Sequence, residues 1–214
     1  MPSRHGAKIS LNLLGKAPVP GFVKTRLIPA LGAAAATRAH IILLTHLTRI
    51  ASDWCAAAPE NRLLRLWCAP DASDPWFRTL VATPAQLRDQ PEGDLGARLA
   101  AIAASGLAEA QGVMLLGGDA ASLTPADLNR AGAILRRHPA VMIPARDGGY
   151  LLLGLRANAP ELFSDMPWGT ERVAAVTRAR LRRLGWSWEE LPGHWDVDRP
   201  EDWEEFCVLH DLAQ

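Results

Sequence analysis

Short apolar runs alternate with longer segments of helical composition through the first two thirds of the sequence. Four runs have the length and residue types of buried strands: residues 9–14, 62–68, 113–116 and 141–144. Three intervening segments have the residue types and spacing of helices: residues 33–50, 93–110 and 124–137. This alternation is typical of a parallel sheet with helices on both faces. We therefore predict an α/β fold with three layers and a mostly parallel central sheet, in one domain that covers residues 1–214.

The rest of the chain carries weaker patterns. Two more strands are expected at residues 150–155 and 186–191, and a short edge strand at residues 86–89. Further helices are expected near Trp76, from Gly169 to residue 184, and from Glu201 onward.

Charge and composition exclude several classes of protein. The chain has 23 Lys and Arg residues and 23 Asp and Glu residues, so no net positive field favours nucleic acid. The longest apolar stretches are shorter than a membrane span, and the N-terminus lacks the apolar region of a secretory leader. Cys55, Cys68 and Cys207 lie far apart, which favours a reducing compartment over a disulfide framework or a zinc site. We expect a cytoplasmic protein without a membrane span, and the sequence leaves its oligomeric state open.

A loop rich in proline, glycine and cations follows the first predicted strand. Residues 15–27 read GKAPVPGFVKTRL and contain Lys16, Lys24 and Arg26. In open α/β sheets, ligands bind at the carboxyl ends of the strands. In an extended segment, the i, i+2 spacing would point Lys24 and Arg26 the same way, which suits the binding of a polyphosphate. The alternative is a solvated basic loop, and neither a Walker A nor a G-x-G-x-x-G sequence is present.

Carboxylates in two distant segments are candidate ligands of Mg²⁺ or Mn²⁺. Asp119 follows the central strand at residues 113–116 after two glycines, at the edge of the sheet where ligands bind. Asp196 and Asp198 share one side of the chain if their segment is extended, and two such carboxylates repel unless a cation lies between them. The alternatives are a turn or cap role for Asp119 and an N-cap role for Asp198 before the last helix.

Four motifs together resemble those of a bacterial family of GT-A-like proteins, which is labelled glycosyltransferase or radical-SAM/selenodomain-associated transferase. They are KAPVPGFVKTRL (16–27), GDLGARL (93–99), PARDGGYLLLG (144–154) and DVDRPEDW (196–203). The resemblance spans nearly the whole chain and implies the fold of the nucleotide-diphospho-sugar transferases. In that superfamily, KTRL at residue 24 is similar to the Lys-Ser-Arg-Leu of phospholactate guanylyltransferases. The acidic motif at residue 196 is similar to the Asp-x-Asp-Thr-Pro-Glu-Asp of molybdenum-cofactor nucleotidyltransferases.

The residues and the resemblance together suggest roles for fifteen positions. Nucleotide contacts are expected from Lys16, Pro18, Gly21, Lys24, Arg26 and Arg98. Catalytic roles are expected for Lys24, Arg26 and Asp147. An acceptor site is expected around Gly148, Gly149, Tyr150, Trp168 and Thr170. Mg²⁺ or Mn²⁺ is expected at Asp119, Asp196 and Asp198.

The expected function is transfer of a group from a nucleotide to a small-molecule acceptor. The family label favours a nucleotide-sugar donor, and the alternative is nucleotidyl transfer from a nucleoside triphosphate with release of pyrophosphate. A second alternative is a non-catalytic nucleotide-binding protein on a decayed transferase fold. It is motivated by one departure, because the family pattern Asp-x-Pro-x-Leu-Thr is DAASLT at residues 119–124 here.

Overall fold

Seven strands form one mixed sheet in a computed structural model, which describes residues 8–83, 86–120 and 122–212. The order across the sheet is β3-β2-β1-β4-β6-β5-β7. The strands are β1 (Ile9–Lys16), β2 (Arg62–Ala69), β3 (Leu87–Asp89), β4 (Gly112–Leu116), β5 (Ala140–Pro144), β6 (Tyr150–Leu155) and β7 (Trp188–Glu190). Among these strands, β6 alone is reversed, and it pairs antiparallel with both β4 and β5. The predicted α/β class and mostly parallel sheet are confirmed.

The described residues form six α-helices. They are α1 (Ile28–Ala56), α2 (Pro75–Arg78), α3 (Leu95–Glu109), α4 (Pro125–Leu135), α5 (Val173–Arg183) and α6 (Pro200–Leu209). Most of them cover the two faces of the sheet, while α6 packs against α1. Buried side chains of α1 and α4, such as Trp54 and Leu128, pack in one core with alternate residues of β1. Buried side chains of α3 and α5, such as Leu99 and Leu181, form the core on the opposite face. The arrangement therefore has the three layers that the alternating pattern predicts.

Helix α1 is the longest of the described helices. Among the described residues, one helical stretch, Thr25–Ala56, is long and apolar enough to cross a membrane by length and composition. Its apolar side chains Leu43, Leu44 and Leu47 are buried, and Leu44 and Leu47 pack in the same core as β1. Burial against the sheet accounts for the apolar composition of α1 in a globular fold.

Several predicted elements begin or end differently in the structure. The helix expected at residues 33–50 spans Ile28–Ala56, with a kink at Gly32, which has φ 77°. The helix expected from Gly169 starts at Val173, because Gly169 has φ 75° and the Thr170 hydroxyl donates to the Pro167 carbonyl, 2.8 Å away. The strand expected at residues 186–191 is confined to Trp188–Glu190, because the Trp186 N–H turns back to the Leu181 carbonyl that ends α5. The expectation that the N-terminus lacks a secretory leader concerns residues 1–7, which lie outside the described residues.

Gly148 lies in the turn between β5 and β6 and packs against the backbone that leads into α5. It has φ 89°, and its carbonyl accepts from the Ala174 N–H. A Cβ at this position would lie 2.2 Å from the Glu171 carbonyl oxygen. The glycine is thus required by contact between two segments of the chain.

Replacing Gly148 with Ala should lower the free energy of unfolding by about 2–4 kcal/mol, since the new methyl group adds a steric clash to a strained backbone. Gly185→Ala is the matched control. Gly185 also has a positive φ, 69°, but a Cβ there would meet nothing within 4 Å. Urea unfolding of both variants measures the difference, and equal losses of stability would show that the Glu171 contact is unimportant.

Candidate functional site

A cavity of about 530 Å³ opens at the carboxyl edge of the sheet. Four segments that follow strands supply its walls. They are the loop after β1, Gln90 after β3, residues 117–119 after β4, and Asp198 in the segment before α6. Helix α3 adds Leu95 and Arg98 from its first turn. The cavity therefore lies where open α/β sheets bind ligands.

Lys24 ties three of these segments together. Its ammonium group lies 2.6 Å from Asp119 Oδ1 and donates to the Val197 carbonyl. The Lys24 side chain is 4% exposed, and its backbone is left-handed with φ 46°. The Val197 N–H in turn donates to the Asp119 carbonyl, at 3.2 Å. The structure thus brings Asp119 next to the acidic segment that lies almost eighty residues later in the sequence.

Lys24 and Arg26 do not point the same way, which corrects the expectation of an extended segment. A 3-10 turn at Thr25–Leu27 follows the left-handed Lys24, so the i, i+2 alternation of a strand does not hold. Lys24 turns inward, whereas the Arg26 side chain is 64% exposed and forms an ion pair with Asp198. Each of the two cations therefore neutralises one of the predicted metal ligands.

Asp198 is not the cap of the last helix. The N-cap position of α6 is Arg199, and the Asp202 carboxylate reaches back to accept from the N–H groups of Asp198 and Arg199. Because Asp202 performs the capping, the Asp198 side chain is left for the cavity. Of the two alternatives left open for Asp198, the capping role is excluded.

Asp196 lies behind the cavity wall among other carboxylates. Burial, and then repulsion from Asp147, Asp198 and Asp119, raise the pKa of its carboxyl to about 6. Four acidic side chains from three segments therefore interact electrostatically. Within residues 8–83, 86–120 and 122–212, no group of three or more His, Cys, Asp or Glu side chains is arranged to ligate a metal.

The other predicted nucleotide-binding residues divide into two groups. Lys16 and Arg98 line the cavity, and the buried Arg98 Nε atom has no hydrogen-bond partner. Pro18 and Gly21 belong to the same loop but do not line the cavity. Gly21 has φ 85° and follows a turn in which the Phe22 N–H donates to the Val19 carbonyl. These two residues shape the loop that presents the cations.

Several residues that line the first cavity were not predicted from the sequence, among them His40, Gln90 and Phe22. His40 is 5% exposed on α1, and its Nε2–H donates to the Lys16 carbonyl at 2.8 Å; burial lowers the pKa of its imidazole. The Gln90 amide nitrogen donates to the Gly15 and Trp67 carbonyls, both at 3.0 Å. Phe22 is 75% exposed. Only Phe22 carried a signal, because an aromatic side chain in a polar loop is unusual.

A second cavity of about 200 Å³ adjoins the first, and the two share Leu14, Leu95 and Gly117. Its lining includes the predicted acceptor residues Gly149, Tyr150, Trp168 and Thr170, together with Asp147. Gly148 does not line it, because that glycine faces Glu171. Within residues 147–149, the Asp147 carboxylate accepts from the Gly149 N–H at 2.8 Å.

The sheet order and the cavity define a protein with the nucleotide-diphospho-sugar transferase fold. A candidate nucleotide-diphospho-sugar transferase from Desulfovibrio desulfuricans G20 is 26% identical, with a TM-score of 0.78 over 90% of this chain and 83% of that chain. Residues 54–170 match the family described as "Uncharacterized protein conserved in bacteria (DUF2064)". The chain belongs to this bacterial family. The GT-A-like resemblance inferred from the motifs is confirmed.

Two more distant solved structures share the fold. CMP:2-keto-3-deoxy-manno-octonic acid synthetase, complexed with CTP, is 14% identical with a TM-score of 0.55 over 96% of this chain and 99% of that chain. Rv0371c from Mycobacterium tuberculosis H37Rv, in complex with manganese, is 18% identical with a TM-score of 0.51 over 93% of this chain and 97% of that chain. A search of curated proteins found no match. The name of the Desulfovibrio protein supports the expected assignment to the transferases.

Replacing Lys24 with Met should lower the free energy of unfolding by about 1–3 kcal/mol, since it removes a charge-assisted contact and leaves the Val197 carbonyl without its donor. Lys16→Met is the control, because Lys16 is an exposed cation of the same loop. Urea unfolding of the ligand-free protein compares the two. An unchanged stability of the Lys24 variant would contradict the role of this side chain in joining the segments.

The pKa of Asp196 predicts a pH-dependent stability. Its folded-state pKa of about 6 lies above the ordinary value of 3.8, so the native state holds a proton that the unfolded chain releases between these values. This group therefore makes unfolding easier as pH rises from about 4 to above 6. Asp196→Asn should match wild-type stability near pH 4 and exceed it at pH 7.5. Urea unfolding across this range tests it, and a pH-independent difference would contradict the assignment.

Proposed function

We propose that the protein transfers a glycosyl group from a nucleotide-diphospho-sugar to a small-molecule acceptor, with a divalent ion. The observation that carries this proposal is the meeting of Lys24, Asp119, Arg26 and Asp198 in one cavity at the carboxyl edge of the sheet. Cations and carboxylates in the same cavity suit a ligand that is itself a phosphate–metal complex. The name of the Desulfovibrio protein, a candidate nucleotide-diphospho-sugar transferase, supports a sugar nucleotide as the donor.

The cavity offers cations for a diphosphate. Lys16 and Arg98 line it without ion-pair partners among the described residues. Arg26 is exposed and can exchange Asp198 for a phosphate, because an exposed ion pair contributes little stability. In this proposal Lys24 stays with Asp119 and fixes the loop, while Lys16, Arg26 and Arg98 bind the phosphates.

Asp119, Asp198 and Asp196 would hold Mg²⁺ or Mn²⁺. Carboxylate oxygens suit these hard cations, and a cation near Asp196 would offset the burial and repulsion that raise its pKa. Bound there, the ion would neutralise negative charge on the departing phosphate. Manganese in the Mycobacterium tuberculosis structure supports a divalent ion in this fold.

Gln90 and Phe22 are placed to contact the nucleoside. The Gln90 amide nitrogen is fixed by two carbonyls at the ends of β1 and β2, which leaves its amide oxygen as an acceptor beside the cavity. Phe22 presents a largely exposed ring at the same cavity, and an aromatic face stacks on any base. Asp147 lines the adjoining cavity, where it would accept the proton of the acceptor hydroxyl.

Two other functions have support. The CTP complex of the synthetase supports nucleotidyl transfer, because the same phosphate clamp and ion would serve a nucleoside triphosphate. The ion pairs that occupy Asp119 and Asp198 support a non-catalytic nucleotide-binding protein, since the carboxylates have cationic partners without a metal. The non-catalytic alternative was first suggested by the altered turn DAASLT at residues 119–124. Ala121 in that turn lies outside the described residues.

Substitution of Asp119 by Asn tests the shared site. Binding of Mn²⁺ should strengthen when UDP, GDP or CDP is present, because the phosphates complete the coordination shell. Asp119→Asn should weaken the Mn²⁺ affinity measured with nucleotide by at least about tenfold, or 1.4 kcal/mol, because an amide lacks the charge. Electron paramagnetic resonance of bound Mn²⁺ measures both. Asp53→Asn, an exposed residue of α1 outside both cavities, is the control.

The outcomes separate the three functions. Release of a nucleoside diphosphate from a nucleotide sugar supports glycosyl transfer, and release of pyrophosphate from a nucleoside triphosphate supports nucleotidyl transfer. Nucleotide binding that is unaffected by EDTA, without turnover of any donor, supports the non-catalytic protein. If Asp119→Asn binds Mn²⁺ and nucleotide as wild type does, the proposed metal site is wrong.

A further inference from the structure

The second cavity differs in chemistry from the first. Its wall is dominated by aliphatic side chains that come from β1, α3, β4, β6 and α5, including Leu14, Leu95, Leu99, Leu115, Leu151 and Val173. The rings of Tyr150 and Trp168 complete the wall, in a T-shaped pair with centroids 6.3 Å apart. None of these side chains carries a charge. A ligand inside this cavity would therefore be held chiefly by burial of its apolar surface.

The few polar groups of the cavity are largely engaged. The Thr170 hydroxyl donates to the Pro167 carbonyl, and one oxygen of Asp147 accepts from the Gly149 N–H. The Tyr150 hydroxyl is enclosed without a partner, and burial raises its pKa, so it stays protonated. Besides the enclosed Tyr150 hydroxyl, the side-chain groups still able to hydrogen-bond are the second Asp147 oxygen, the Thr170 hydroxyl oxygen, which also accepts from the Arg172 N–H at 3.3 Å, and the Trp168 indole N–H. These few groups can satisfy a ligand with one hydroxyl, whereas most hydroxyls of a sugar would face aliphatic side chains.

The size of the cavity limits the ligand further. Its volume is about 200 Å³. An apolar protein cavity of about 150 Å³ holds one benzene molecule. The cavity therefore suits a single ring or a short branched chain.

We propose that the acceptor is a compact, mainly apolar alcohol or phenol with one reactive hydroxyl, and not a sugar or polyol. This inference rests on the proposed function, because it concerns the acceptor side of the same reaction. A sugar would lose its water contacts against leucine side chains, and each buried hydroxyl without a partner costs about 1–3 kcal/mol. A phenol or cyclic alcohol would bury its ring in the cavity and direct its one hydroxyl to Asp147.

The proposed glycosyl transfer needs no reactant other than the donor, the acceptor and the Asp147 carboxylate. The acceptor oxygen forms a bond to the anomeric carbon of the donor sugar, and its proton passes to the Asp147 carboxylate. The bond between the anomeric carbon and the phosphate oxygen breaks, and the nucleoside diphosphate leaves with the electron pair. The donor and acceptor can meet, because the two cavities adjoin along Leu14, Leu95 and Gly117, and Gly117 has no side chain.

Ligand-observed NMR on the full chain tests the acceptor class. Phenol and cyclohexanol are compared at equal concentration with glucose and myo-inositol, in the presence of Mg²⁺ and UDP. We expect saturation transfer to phenol and cyclohexanol, and at least tenfold weaker binding of the two polyols.

Val173→Phe fills the cavity and should weaken phenol binding at least tenfold. Val176→Phe is the matched control, since it makes the same change on the same helix and does not line the cavity. Thermal unfolding shows whether each variant is folded. Should Val173→Phe fail to fold, Leu95→Trp replaces it, because Leu95 is 43% exposed and narrows the cavity from the surface.

Two results would overturn the inference: polyols that bind as well as phenol, or phenol binding that a folded, cavity-filled variant leaves unchanged. UDP binding is measured in the same samples. If the wild-type protein binds phenol but does not bind UDP, the proposed function is refuted, whereas the preference of the second cavity for apolar ligands stands. UDP binding without phenol binding would refute the acceptor class alone.

Discussion

The ammonium group of Lys24 holds the functional edge of this fold together. It binds Asp119 at the end of β4 and the Val197 carbonyl before α6, while its own backbone anchors the loop after β1. None of the three segments is adjacent to another in sequence, and none is a regular strand or helix at the point of contact. An almost fully buried cation needs a counter-charge, so the loop, Asp119 and residues 196–198 favour this one arrangement. The walls of the larger cavity follow from it.

The same charges explain why a metal and a nucleotide would bind together better than either alone. A divalent ion by itself must draw Asp198 away from Arg26, and a diphosphate by itself must approach a group of mutually repelling carboxylates. In the proposed function, Arg26 would exchange the Asp198 carboxylate for a phosphate, and Asp198 would exchange Arg26 for the ion. Neither Arg26 nor Asp198 would then be left without a charged partner. The ion pairs of the free protein and a metal–nucleotide site are therefore compatible states of one charge arrangement.

Much of the fold could be predicted from the sequence, because its strands are apolar runs bounded by glycine, proline and aspartate. Asp119 was placed at the correct edge, because the apolar run that precedes it is the short, buried strand β4. The orientation of Lys24 could not be predicted, since nothing in the sequence marks a left-handed lysine before a 3-10 turn. Gln90 and His40 were missed for a similar reason. Each is an ordinary polar residue whose partners, the carbonyls of Gly15 and Lys16, are defined only by tertiary structure.

The reversed strand β6 gives the site its second cavity. In a wholly parallel sheet, β6 would begin at the opposite edge, and Tyr150 at its start would lie far from Lys16 and Asp119. Because β5 is parallel to β4 and β6 runs antiparallel to both, the turn at residues 145–149 and the start of β6 both lie at the edge where β1 and β4 end. Two glycines after β4 then allow close contact across that edge. A Cβ on Gly118 would lie 2.7 Å from the Leu14 carbonyl, whereas Gly117 faces open space where the two cavities join. A charged cavity and an apolar cavity thus adjoin at this edge of the sheet, which would bring two chemically different ligands close together in the proposed transfer.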